Sequence, residues 1–135
     1  DARLRERAMA SLSGRLQQLL DTQARTAPLV VRDGSRTLLL PLDDIVWIEA
    51  EDYCARIHLR DRSVLVRESL RTLESRLDPA RFARVHRSAI ANVACVREVS
   101  PLASGDQRLV LSTGVELRVS RTHRADLVRA LGVGL

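Results

Sequence analysis

The chain has 135 residues, of which 45% are hydrophobic and 29% charged, and a formal net charge of +5. That size suits one compact domain, and the hydrophobic fraction excludes a disordered tail. All 22 basic residues are arginine, and the only aromatics are Trp47, Tyr53 and Phe82. These two facts exclude Schiff-base or P-loop lysine chemistry and an aromatic stripe that could stack single-stranded bases.

Codon usage in a GC-rich genome is a sufficient explanation for the missing lysine. Whatever its origin, every cation is a planar fork that suits phosphate and guanine edges. Cys54 and Cys95 are too few for a disulfide framework, and with three scattered histidines they give no zinc spacing. Their apolar, strand-like settings read as inert thiols. No metal, cofactor or catalytic site is expected. There is no signal peptide and no apolar run long enough to span a bilayer, so a soluble, cytoplasmic chain is expected. A chain beginning at Asp1 reads as a fragment of a longer protein.

Residues 2–23 read as an amphipathic helix, with Met9, Leu12, Leu16 and Leu19 on one face. It either packs on its own domain or acts as a linker or dimerisation helix, which sets a first segment at 1–27 and a domain at 28–135. From Leu29 the period drops toward two. Leu29–Arg32 and Arg36–Leu40 flank a hairpin turn at Asp33-Gly34-Ser35. Ile45–Glu49 is an apolar strand; Tyr53–Leu59 and Ser63–Arg67 form a second hairpin. Ser69 is placed to cap a short helix carrying Leu70, Leu73 and Leu77. Val93–Val99 reads as a strand, and Gln107–Leu111 pairs with Val115–Val119. Ser120 is placed to cap a last helix bearing Leu127, Val128 and Leu131, with Gly132 as its stop. Short strands at close spacing make the fold class mainly β, packed antiparallel sheets with small helices.

Charge is uneven. Residues 28–80 carry 8 Arg and 10 acids, whereas residues 81–135 carry 9 Arg and 4 acids. The last third is the candidate electrostatic footprint, and the acids from Asp43-Asp44 to Glu51-Asp52 are expected to face away from any phosphate.

Two clusters carry the chemistry. In Phe82–Val93, a strand with one buried face would group Arg84, His86 and Ser88 on the other, with Arg87 at or near a bend. Arg and Asn (Asn92 here) are the types that read guanine and adenine edges bidentately; a solvated turn is the competing reading. In Arg118–Arg124, three arginines, two hydroxyls and His123 meet at a strand-to-helix junction. Helix N-termini bind anions, and Arg121 and Arg124 there oppose the helix dipole. An ordinary surface helix start is the alternative.

At these residues the chain resembles the LytTR DNA-binding domain, the output module of many bacterial response regulators. Asp43–Ala50 is similar to that family's D-I-x-x-I-E-A strand, and Leu70–Leu77 to its L-x-x-L-E-x-x-L helix. Phe82–Ser88 with Asn92 is similar to F-x-R-x-H-R-S-x-x-V-N, and Gly114–Arg121 to G-x-x-L-x-V-S-R. Ala91 departs from the usual Val, and His123 stands where an aromatic is common. The resemblance covers about Leu29–Leu131 and implies packed sheets without a helix-turn-helix. It further implies loops that enter successive major grooves of double-stranded DNA at paired promoter repeats, bound as a homodimer. By that resemblance Arg87 and Arg121 are base-reading residues, and a third position lies near Ala55 and Arg56. Arg84, His86, Ser88, Asn92, Ser120 and Arg124 are then contacts to the DNA backbone or scaffold of the site. A receiver or sensor domain is expected to precede residue 1.

Two other classes compete with this reading. A hydrolase built on Ser88 or Cys54 with a histidine lacks a nucleophile elbow and a third orienting group. Asp43 and Asp44, being adjacent, point to opposite faces of a strand. A non-DNA interaction or dimerisation module, using the helix over 2–23 and the basic face, is the alternative to DNA binding.

Overall fold

The computed structural model describes residues 27–132, together with Gly14 and Gly134. The helix expected over residues 2–23 lies outside the described residues. Within them the chain is mainly β, with three antiparallel sheets.

The first hairpin pairs β1 (Leu29–Asp33) with β2 (Arg36–Leu40); its loop is Gly34-Ser35, and Gly34 takes φ +64°. A five-stranded sheet follows in the order β5-β4-β3-β7-β6. Its members are β3 (Ile45–Glu51), β4 (Cys54–Leu59), β5 (Ser63–Val66), β6 (Phe82–His86) and β7 (Ala89–Asn92). The third sheet has the order β10-β9-β8, from β8 (Val96–Pro101), β9 (Gln107–Leu111) and β10 (Glu116–Val119). Two short helices, α1 (Leu70–Arg76) and α2 (Arg124–Leu131), complete it.

The five-stranded sheet is covered along one face, and on the other over β3, β6 and β7. On one face Ile48, Ile57, Val64, Val66 and Ile90 pack with Leu29, Val31 and Leu40 of the first hairpin and Leu70 and Leu73 of α1. On the other, Val46, Val85, Ala89 and Ala91 pack with Leu109, Leu111, Val119 and Leu127. β3 splits its side chains between the two clusters, Ile45 and Ile48 in the first and Val46 in the second, whereas β4 buries Ala55 and Ile57 in the first and turns Arg56 and His58 outward.

The helix ends follow the sequence signals in part. Ser69 Oγ accepts from Thr72 N–H at 3.1 Å, as expected of a cap. Gly132 ends α2 at φ +75°, the left-handed C-terminal stop. Ser120 does not cap: its hydroxyl meets His123 Nδ1 at 2.7 Å, and Arg121–His123 form a 3-10 turn ahead of α2.

Two further expectations change. Val93–Cys95 is a 3-10 turn rather than strand, because Asn92 Oδ1 accepts from Ala94 N–H at 3.0 Å and turns the chain. Arg84 and His86 do not share a face. A register shift between them inserts Val85 as an extra residue, so Arg84 lies opposite Ile90 on the α1 side and His86 opposite Ala89 on the other.

Asn92 is 1% exposed, and its Nδ2 donates to Ile45 O at 2.7 Å and to Leu42 O at 3.4 Å. It clamps the end of β7 to the start of β3. Asn92→Ala strands a buried carbonyl and a backbone N–H, so it is expected to cost about 2–4 kcal/mol, read as a lowered urea midpoint with an unchanged slope.

Candidate nucleic-acid interface

Two turns and one strand end meet at one edge of the five-stranded sheet. β3 and β4 are joined by Asp52-Tyr53, and β6 and β7 by Arg87-Ser88. Ala50 N–H donates to Ser88 O at 2.9 Å, which ties these two turns together. Ser120 N–H donates to Val85 O at 2.9 Å, which brings the end of β10, and so Arg121, to the same side. Arg56, Glu49 and Ala89 are level with one another on three adjacent strands, so Arg56 and Ala89 stand about 10 Å apart.

Arg87 is exposed at the tip of its turn, and its guanidinium makes no hydrogen bond to the described residues. The turn itself is held from behind. Arg84 Nε donates to His86 O at 2.8 Å and Nη2 to Arg87 O, while Nη1 donates to Glu74 Oε2 of α1 at 3.1 Å. His86 Nδ1 accepts from Ser88 N–H at 3.3 Å and lies 2.8 Å from Ser88 Oγ. With Nδ1 accepting, the ring proton sits on Nε2. A two-residue turn without glycine is thus stapled by Arg84 on one face of the sheet and by His86 on the other.

Arg121 is exposed, donates from Nη2 to Ser104 O at 2.6 Å, and lies over Gly105. A Cβ added at Gly105, where φ is +92°, would stand 3.0 Å from Arg121 Nε. Arg124 is exposed as the first residue of α2.

Arg56 is on the surface, whereas Ala55 is fully buried and is excluded from any outside contact. Arg56 Nε and Nη2 donate to the two carboxylate oxygens of Glu51 at 2.7 and 3.2 Å, and Nη1 donates to Ser63 Oγ at 3.2 Å. The hydrogen bond from Arg56 holds the Glu51 carboxyl below its ordinary pKa, and the same bond raises that of Arg56. The pair is therefore intact at neutral pH and is lost only as pH falls through the lowered Glu51 value.

The acids do not all face away from this edge. Asp43 bonds Arg81 and sits at the opposite end of β3, but Glu49 and Glu51 lie beside the Arg87 turn. Glu49 takes a partner there, His58 Nε2 at 2.8 Å, and His58 stacks on Trp47 with ring centroids 4.4 Å apart. One residue escaped the sequence reading. Tyr53 is 97% exposed at the tip of the β3–β4 turn. The signal for it was Asp52, whose φ of +56° is typical of Asp in a two-residue hairpin loop.

A shallow groove of about 270 Å³ runs between the Arg87 turn and β10, lined by Trp47, Glu49, His86, Ser88, Glu116 and Arg118. A larger cleft of about 1080 Å³ lies between the first hairpin, β5 and α1, and holds none of the expected site residues.

Arginines carried on turns at one sheet edge, with α1 and α2 separated by five strands, define a strand-built nucleic-acid-binding module rather than a helix-turn-helix. The family model of the LytTr DNA-binding domain matches residues 35–132, and the chain belongs to that family. It is 30% identical over 105 residues to the transcriptional regulatory protein LytR of Staphylococcus aureus strain MW2, covering 78% of this chain and 43% of that protein. It is 28% identical over 105 residues to the sensory transduction protein LytT of Bacillus subtilis, covering 78% and 44%. The chain thus spans less than half the length of these relatives. A solved LytTr DNA-binding domain from Bacillus cereus superposes with a TM-score of 0.69 at 22% identity, covering 78% of this chain and 97% of that one.

Gly105→Ala is expected to destabilise the domain by about 1–2 kcal/mol through its left-handed backbone and to move the Arg121 guanidinium. Urea unfolding reads the first effect, and the Arg121 Nε–H resonance reads the second.

Proposed function

We propose that this chain binds double-stranded DNA sequence-specifically as the output domain of a bacterial transcriptional regulator of the response-regulator type. Its turns enter successive major grooves at promoter repeats. The observation that supports this most is Arg87: an exposed guanidinium with no partner among the described residues, on a turn braced from both sheet faces, in a domain of the LytTR family. A free fork on a fixed backbone is suited to bidentate contact with guanine O6 and N7.

The other residues divide by what already occupies them. Arg121 and Arg56 read bases from the same edge, Arg121 by exchanging the Ser104 carbonyl for a base. Arg84, His86, Ser88, Asn92 and Ser120 hold the turns. Arg124, at the start of α2, contacts phosphate. Affinity then rests on phosphate contacts and counterion release, and specificity on the forks. A homodimer on paired repeats, a preceding receiver or sensor domain, and a cytoplasmic location complete the proposal. Among the described residues no helix is long and apolar enough to cross a membrane.

Random-site selection with the purified chain is expected to enrich a pair of short, regularly spaced repeats; recovery of no enriched sequence overturns the reading. On the selected site, Arg87→Ala and Arg121→Ala should each cost about 1–3 kcal/mol and relax base preference. A phosphate contact at Arg84 would lower the salt slope by about one on removal. Its three internal hydrogen bonds instead predict that Arg84→Ala weakens selected-site binding with the slope unchanged. Titrations at several salt concentrations separate these outcomes.

A further inference from the structure

An acid at a phosphate-facing edge opposes DNA binding, and Glu51 stands at such an edge, on the strand that adjoins the Arg87 turn. Its carboxylate is not idle. It takes Arg56 side-on through Nε and Nη2, and Ser63 Oγ takes Nη1 from the neighbouring strand. We infer that Glu51 is a positioning residue, which locks the Arg56 guanidinium in one orientation for reading a single guanine.

The donor inventory supports this. A guanidinium has five N–H groups; Glu51 and Ser63 occupy three of them. One N–H remains on Nη1 and one on Nη2, a pair that matches guanine O6 and N7. Held from two strands, Arg56 loses little side-chain freedom on binding, unlike Arg87, whose guanidinium must be ordered by the base itself. The pair is solvent-exposed, with side chains 32% and 44% accessible, so it adds little to folding stability. What it supplies is geometry. The raised Arg56 and lowered Glu51 pKa values agree with a pair that is charged on both sides at neutral pH.

This inference rests on the reading of Arg56 as a base contact, and it predicts effects of opposite sign for one substitution. Glu51→Ala removes a negative charge, so an unrelated duplex should bind equally well or a few-fold more tightly. The selected duplex should bind roughly 5- to 30-fold more weakly. That loss should vanish when one particular G·C pair is replaced, the same pair whose replacement abolishes the effect of Arg56→Ala. The double substitution should lose no more than Arg56→Ala alone.

The measurement is fluorescence-anisotropy titration of the full chain and the three variants against the selected duplex, its single G·C replacements and an unrelated duplex. Urea midpoints should be unchanged and serve as the folding control. If Glu51→Ala tightens both duplexes alike, Glu51 is only a repulsive surface acid and the positioning role is overturned. If Arg56→Ala leaves the selected duplex untouched, Arg56 is not a base contact; the positioning role falls with it, while the readings of Arg87 and Arg121 stand.

Discussion

Burial of the five-stranded sheet, along one face and over β3, β6 and β7 on the other, is the constraint on which the rest depends. Apolar side chains fill the space toward α1 on one side and, over β3, β6 and β7, toward β8–β10 on the other; only the outward face of β4 and β5, with Arg56, His58, Ser63 and Leu65, stays open. Polar function is displaced to the rim, where strands end and turns begin. There the backbone has unpaired groups of its own to satisfy, and side chains such as Arg84, His86 and Asn92 are recruited to do so. The proposed use of turns in place of a recognition helix fits that geometry.

The same constraint explains what was legible in the sequence. Period-two apolar patterning marked β1 to β5, β9 and β10 because each has a buried face, and Gly34 and Gly132 marked chain reversals through their left-handed backbones. The β6–β7 region was harder. Its apolar residues occur irregularly because Val85 is a bulge residue; a strict alternation therefore put Arg84 beside His86 when the sheet separates them. Asn92 read equally well as a base contact and as scaffold, since an amide suits both; burial places its donors on Leu42 and Ile45 instead. The start of β8 slipped for a related reason, as no propensity announces that a side chain will capture Ala94 N–H.

Electrostatics were legible only as totals. The excess of positive charge in the last third is real, yet single-residue partnerships decide which arginines are available. Arg84 is committed to a turn, Arg56 is held by a carboxylate and a hydroxyl with two N–H groups to spare, and Arg121 is held by a loop carbonyl, whereas the Arg87 guanidinium makes no hydrogen bond to the described residues. Net charge cannot make that distinction, because it counts a buttressed cation and a free one alike. Nor could it show that Glu49 and Glu51 share the edge with the arginines.

The separation of bracing from presentation at the Arg87 turn bears on how such domains diversify. The side chains that hold the turn are those of Arg84, His86 and Ser88; Arg87 lends its backbone carbonyl, but its side chain makes no hydrogen bond to the described residues. Position 87 is therefore uncoupled from folding, and a lineage can exchange its side chain without crossing a stability threshold. If position 87 reads a base as proposed, gene duplicates that inherit this scaffold can drift toward different promoters one base preference at a time, each intermediate still folded.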